Sequence, residues 1–516
     1  MDHARPPLVR LSAPVAEPAS GAAAVAAELP AETSLDPADW AAMRALGHRM
    51  VDDMMGYLQT VRDRPAWTPI PKDVKASFRA PVPREPEGAE RAYEAFRTAV
   101  LPYPTGNIHP RFWGWVMGTG TPLGVLAEML AAAMNPNVWG GEQSATYVEA
   151  QVLDWCKTML GVPASASGLL VSGGSAANLV CLAVARDAMA GDDVARRGIA
   201  ALPGRPVVYC STETHNSVEK AVALLGLGTG ALRKLPATAA YTLDVAALAA
   251  AISADRARGD VPLCVVANAG TVNTGAVDDL ERVADVAAEH GVWMHVDGAF
   301  GALAALSPAL RPLLRGLERA DSVAFDLHKW LYMPYEVGCA LIRRADAHRR
   351  AFAPPAGYLA HDTRGAASGE HWFGELGIEL SRGFRALKVW MSLKEHGADR
   401  YARQIEQNVA QARYLAALVE ASPELELAAP VSLNVVCFRA RAPHATGSEA
   451  QDALNREILL RIHERGVAVP SATTLAGRYT IRVAITNHRS RREDFDTLVA
   501  AARDLARELT RATGGT

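Results

Sequence analysis

The stretch DSVAFDLHKW, residues 321–330, joins a small apolar run to a polar cluster. Val323 and Phe325 with their small neighbours suit a covered β-strand, and Asp326, His328 and Lys329 arrive where such a strand ends. A core strand has little structural reason to stop on a lysine, so the residue asks for a chemical one. Outward from it, between residues 165 and 345, the strand candidates RPVVYC, PLCVVAN, GVWMHV and SVAF alternate with helical stretches such as NSVEKAVALLGL and DDLERVADVAAEH. That alternation predicts a mostly parallel α/β sheet. His215 lies just past the first of these strands, Thr271 just past the second, Asp297 ends the third, and Lys329 follows the fourth. Ligands of open α/β sheets bind beyond the carboxyl ends of the strands. With strands about 4.8 Å apart, one ring-sized ligand can touch several of those ends.

Covalent chemistry accounts for the lysine. A Lys amine in an apolar pocket loses its proton readily, forms Schiff bases with carbonyls, and is the usual attachment for pyridoxal phosphate. Lys329 is the candidate for that attachment. Asp297 then pairs with the pyridinium nitrogen, His215 covers the ring face, and Thr271 bonds the cofactor edge or the Asp297 carboxylate. A phosphate site is offered by LLVSGGSAANLVCLAVARDAM, residues 169–189, where Gly173 and Gly174 admit close backbone approach and Ser175 opens an apolar helix. Each residue alone has a plainer reading: a Ser-capped helix after a Gly turn, a turn aspartate, a helix-start histidine, a surface lysine. Their order at successive strand ends favours the shared site.

Composition narrows the remaining classes. The 516 residues carry 53 Lys+Arg against 56 Asp+Glu, a formal net charge of −3, so no basic field recruits nucleic acid or an anionic membrane. The six cysteines are scattered with no metal-like spacing, which reads as reduced, buried, cytoplasmic and without a metal site. Residues 1–35, rich in Ala and Pro, read as a disordered tail without the apolar core of a signal peptide. Residues 36–120 read as an N-terminal segment for dimerisation: a helix capped by Ser34 or Asp36 with Trp40, Met43, Leu46 and Met50 on one stripe, then a Pro-rich arm over 62–88. That arm wraps a second subunit or packs on its own domain. Residues 121–389 read as a large cofactor-binding domain, and 390–516, with LNVVCFRARA and YTIRVAIT, as a small α/β domain.

The motifs VSGGSAANL, THNSVEKA, HVDGAFGA and DSVAFDLHKWL resemble those of the pyridoxal-phosphate-dependent group II amino-acid decarboxylases. HPRFWGWV (109–116), ATYVEAQVLDW (145–155) and LSRGFRALKVW (380–390) extend the resemblance over nearly the whole chain after the tail. It implies fold type I with a mostly parallel seven-stranded sheet, a homodimer with the site at the subunit interface, and the roles given above for Lys329, Asp297 and His215. It further implies Ala299 under the ring, His328 beside the cofactor, Ser381 and Arg382 approaching the site, and Trp113 and Trp115 in a substrate pocket that suits an aromatic L-amino acid. In the family, a loop tyrosine delivers the proton that completes the amine, and relatives with phenylalanine there release aldehydes. The aligned position here falls on Trp372 or Phe373, with Tyr358 earlier in the loop. Amine formation is the leading expectation, decarboxylation with oxidative deamination the alternative, and a cofactor-binding protein without turnover the remaining class.

Overall fold

The computed structural model describes residues 33–191, 193–353, 362–441 and 447–513. The tail to residue 32 and Tyr358 therefore lie outside the described residues. The chain divides after Met54 into two units. Helix α1 (Trp40–Gln59) begins in the first. Its cap is neither Ser34 nor Asp36 but Asp39, whose Oδ1 accepts from the N–H groups of Ala41 and Ala42 at 2.9 and 3.0 Å. Asp39 directly precedes the first helical residue, whereas Ser34 is engaged in a local turn with the N–H of Asp36. Of the apolar stripe, Leu46 is buried, while Trp40, Met43 and Met50 are exposed.

From Met55 onward, two sheets organise the chain. The larger is built from β2 (Ser167–Val171), β3 (Pro206–Ser211), β4 (Leu232–Leu235), β5 (Val261–Asn268), β6 (Trp293–Asp297), β7 (Ser322–Asp326) and β8 (Gly338–Ile342), in the order β2-β8-β7-β6-β5-β3-β4. The pairs β4/β3, β3/β5, β5/β6 and β6/β7 are parallel, while β8 runs antiparallel to both of its neighbours. Helices α2 (Pro122–Met134) and α3 (Ser144–Leu160) precede the sheet, and the crossovers that parallel strands need include α4 (Gly174–Ala190), α5 (Asn216–Leu224), α6 (Val245–Ala257) and α7 (Leu280–Glu289). Strands β3, β6, β7 and β8 are buried along their whole length, which is why they read as continuous apolar runs rather than alternating ones. A short helix α8 (Leu327–Trp330) follows β7 at once and carries Lys329.

The smaller sheet has the order β1-β11-β12-β10-β9, from β1 (Phe112–Trp113), β9 (Leu425–Leu427), β10 (Val435–Ala440), β11 (Val469–Leu475) and β12 (Arg478–Ala484). Its edge therefore comes from the N-terminal segment, with Phe112 paired to Val469. Nor does the core change at residue 390. Helix α9 (Ala386–His396) and the first half of α10 (Ala398–Glu420), through Tyr401, Ile405 and Val409, pack in the core of the large sheet. Ala412, Leu415 and Val419 on the same helix pack in the second core. One helix thus contributes to both cores. Helices α11 (Ser448–Glu464) and α12 (Arg492–Thr513) cover the small sheet.

Trp113 belongs to that second core and not to a pocket. Its indole is fully buried, stacks on Phe495 at 4.8 Å between centroids, and donates Nε1–H to Ser490 Oγ at 3.0 Å. The expectation that it lines the substrate site is corrected: Trp113 is the last residue of β1 and faces the second core, whereas Trp115, two residues on, has left the strand with a φ of 52° and is exposed.

Candidate active site

The parallel strands β3, β5, β6 and β7 bring their carboxyl ends to one edge, and a cavity of about 620 Å³ opens there. Ser172, Gly173, Gly174, Ser175, His215, Asp297, Ala299, His328 and Lys329 all line it. Lys329 Nζ lies 2.8 Å from Asp326 Oδ2, an ion pair across one turn of chain. Asp326 is buried, and its other oxygen has no hydrogen-bond partner. His328 accepts the Val337 N–H on Nδ1 at 3.1 Å, and its ring lies 4.4 Å from that of Tyr335. Burial holds the His328 imidazole below its ordinary pKa, opposed by Asp326. Enclosure does the same to His215, with Asp297 opposing it and Lys329 reinforcing it.

Asp297 ends β6 with both oxygens engaged: Oδ1 accepts from Ala299 N–H at 3.1 Å and Oδ2 from Asn178 Nδ2 at 3.0 Å. Helix α4 begins at the glycine turn, and Ser175 in its first turn is exposed. A Cβ at Gly174 would come 2.9 Å from Asp326 Oδ2, so only glycine lets this turn approach the end of β7. Backbone N–H groups at a helix start, next to an exposed hydroxyl, suit a phosphate.

Two further expectations are corrected. Thr271 is fully buried in the turn after β5, where its Oγ1 lies 3.1 Å from Thr274 Oγ1 and accepts the Ala276 N–H at 3.1 Å. It does not line the cavity or bond Asp297, because the turn consumes its hydroxyl. Arg382 is not a substrate group either. Its guanidinium is buried, donating to Glu149 Oε1 at 2.5 Å and to the carbonyls of Val138 and Leu170 at 2.6 and 2.7 Å. A buried carboxylate and two backbone carbonyls, one in the loop before α3 and one on β2, take up that charge. Ser381 beside it is exposed. Trp372 and Phe373 are both buried outside the cavity, the first edge-on to Trp139 at 5.0 Å and the second beneath the Arg382 guanidinium.

Trp115 stands where the resemblance put it, while Arg482 and Tyr335 went unread in the sequence. Trp115 does line the cavity, 60% exposed and with φ of 52°, a left-handed conformation that tryptophan adopts at a cost. Its carbonyl accepts from Arg482 Nη1 at 2.7 Å. Arg482, on β12, also gives Nε–H to the Asn273 carbonyl at 3.0 Å, while its buried Nη2 has no partner. Burial lowers its pKa to about 10. Among the described residues Arg482 makes no ion pair, leaving a fixed cation at the cavity wall. The signal was a charge inside the apolar strand YTIRVAIT. Tyr335 is the other addition. Enclosure and Asp326 push its phenol up to about 12, opposed by a hydrogen bond from the Gly118 backbone.

The donor set answers to one group. A lysine amine at the cavity wall, a buried carboxylate at a strand end, and a glycine turn with a serine at a helix start fit a ring that bears a carbonyl, a basic nitrogen and a phosphate. The unpartnered oxygen of Asp326, buried between the glycine turn and Lys329, marks the same polar hollow. Fold and site define a pyridoxal-phosphate enzyme of fold type I.

Comparison with known proteins specifies it further. Residues 71–441 match the pyridoxal-dependent decarboxylase conserved domain. The chain is 35% identical over 471 residues to the aromatic-L-amino-acid decarboxylase of Bacillus atrophaeus, spanning 91% of this chain and 96% of that protein. It is 31% identical over 466 residues to tryptophan decarboxylase 1 of Oryza sativa subsp. japonica, spanning 86% and 89%. The crystal structure of Oryza sativa TDC with PLP and tryptamine superimposes with a TM-score of 0.85 at 28% identity, covering 92% of this chain and all of that one. The chain belongs to the pyridoxal-dependent decarboxylase family. It is a carboxy-lyase that uses pyridoxal phosphate to decarboxylate an amino acid.

Proposed function

We propose that the substrate is an aromatic L-amino acid and the product its amine. The observation that carries this reading is the cavity wall facing Lys329, where Trp115 and Tyr335 supply aromatic surface and Arg482 an unpaired cation. An aromatic side chain gains burial and ring contacts there, and a carboxylate gains a charge-assisted partner. Names of relatives that act on aromatic amino acids support it. Bound pyridoxal phosphate supplies the electron sink when the bond from Cα to the carboxylate breaks. Lys329 would hold the cofactor, and Asp297 would pair with its ring nitrogen. His215, Ala299 and His328 would contact the ring, while Gly173, Gly174 and Ser175 would receive the phosphate. Carbon dioxide leaves, and one proton must return to Cα. Tyr335 keeps its phenolic proton through the neutral range, which supports amine formation.

A second reading, decarboxylation with oxidative deamination to an aldehyde, is favoured by the loop: Trp372 and Phe373 stand near the family tyrosine, and neither donates a proton. Carbon dioxide release from a panel of common amino acids tests the substrate. Product analysis under air separates the readings: amine alone supports the first, and stoichiometric aldehyde, ammonia and peroxide overturn it.

The homodimer belongs to the same proposal. Val125, Met129, Leu130 and Met134 of α2 are exposed, an apolar row of the kind that partners cover. Sedimentation equilibrium of the full chain gives the mass that decides it. Six free, buried cysteines suit a reducing compartment, and we assign the protein to the cytoplasm on that ground. No helix among the described residues is long and apolar enough to cross a membrane.

A further inference from the structure

Behind Asp297 lies a chain of hydrogen bonds whose direction is determined at every link. Trp293 can only donate, and its Nε1–H reaches Ser322 Oγ at 2.8 Å. Ser322 Oγ is also 2.9 Å from His295 Nδ1, and His295 Nε2 is 2.8 Å from Asn178 Oδ1. Asn178 Oδ1 can only accept, so the His295 proton sits on Nε2, and Nδ1 takes the hydroxyl proton of Ser322. The amide of Asn178 cannot be turned round, since its oxygen would then face the Asp297 carboxylate. Its Nδ2 donates instead to Asp297 Oδ2 and to Ser217 Oγ, both at 3.0 Å. Ser217 in turn lies 2.8 Å from His215 Nδ1, which also accepts the Ser217 backbone N–H at 3.2 Å. His215 therefore carries its proton on Nε2. Asn178, His295 and Ser322 are all buried, so water does not compete for these bonds.

We propose that Asn178 is a positioning residue for the cofactor ring: one amide sets the Asp297 carboxylate and, through Ser217, the tautomer of His215, its own orientation being fixed by His295. This rests on the reading that Asp297 and His215 are the residues that meet the ring. Asn178 stands at the cavity lining but acts through Asp297 and Ser217, to which its amide donates. Its function is to make the ring-nitrogen partner and the ring-face histidine answer to a single hydrogen-bond direction that originates at Trp293.

The test uses full-length protein stripped of cofactor and pyridoxal 5'-phosphate as the probe. Asn178→Asp preserves shape but converts the donor to an acceptor unless the new carboxyl is protonated. To present Asp297 as a carboxylate, the variant must take up a proton when it binds. The ratio of variant to wild-type Kd then climbs about tenfold per pH unit above the pKa of the new pair and returns toward one below it. The groups around that pair are His295, His215, Cys181, Lys220, Lys329 and Asp326. A variant that matches the wild type across pH 6 to 9, a range on the order of three units, would show that Asn178 only fills space, and would overturn the proposal. A second measurement needs no variant to bind: nitrogen-15 NMR of the histidine rings in cofactor-free wild type, with signals assigned through His215→Gln and His295→Gln. Both rings are expected to be neutral with the proton on Nε2, and a proton on Nδ1 of either overturns the network. A wild type that binds no pyridoxal phosphate would instead overturn the reading of the site, which the tautomer measurement keeps separate.

Discussion

At the residue scale, Lys329 differs from every other lysine in its setting: it stands one turn after a buried strand, paired with a buried carboxylate, at a cavity wall. Lys329→Ala is expected to bring turnover to background and to abolish the visible absorbance of the bound cofactor, both read on the purified variant. The tryptophans make a paired prediction. Trp113→Ala removes a stacked, hydrogen-bonded core ring and should cost about 3–5 kcal/mol of stability with substrate preference intact. Trp115→Ala removes an exposed cavity wall, so it should raise KM for aromatic substrates and leave the unfolding midpoint nearly unchanged. Denaturant unfolding and kinetics on the same two variants decide between structural and functional roles. Arg382 teaches the same lesson: a motif residue can be engaged by a buried carboxylate and two backbone carbonyls.

At the scale of elements, the turn that carries Lys329 is held from outside by the loop after β1. Gly118 passes so close that an added Cβ would stand 1.9 Å from the His328 carbonyl oxygen and 2.6 Å from that of Lys329. Both neighbours are backbone, so neither can step aside cheaply. Gly118→Ala is therefore expected to displace α8 and weaken cofactor binding by at least an order of magnitude, measured as a rise in the Kd of pyridoxal phosphate, with circular dichroism showing the sheet intact. Unchanged affinity would mean that the loop, not the turn, gives way. The glycine turn before α4 meets β7 under the same constraint at Gly174.

For the whole molecule, buried neutral histidines link stability to acid. His109, His295 and His348 are each held down to about 4, chiefly by burial. Their pKa is thus depressed below the unfolded value near 6.5, so the unfolded chain binds more protons between those two values. Stability contributed by these groups is present above pH 6.5 and is lost as pH falls toward 4, on the order of 3 kcal/mol for each histidine. The Tm of the cofactor-free protein should decline through that window. A Tm flat from pH 7 to 4.5, roughly the span of the shift, would mean that the histidines charge in place.

The sequence by itself determined the class of fold and the centre of the site. Buried parallel strands write themselves as apolar runs, and residues at their carboxyl ends must meet on one edge, so Lys329, Asp297 and His215 were legible from order alone. The glycine turn was legible for the same reason, because it directly follows a strand of that sheet. Tertiary structure alone decided which way each side chain spends its polar atoms. Thr271 turned into its own turn, Arg382 to Glu149, and Trp113 into a second core. Arg482 came to the cavity from a strand more than 150 positions beyond Lys329, and Asn178 joined Asp297 to His295 across 117 residues of chain. Burial makes such long-range partners obligatory, since an unpaired polar group away from water costs more than the bond it forgoes. Spacing along a single chain carries no record of which partner, near or far, satisfies that demand.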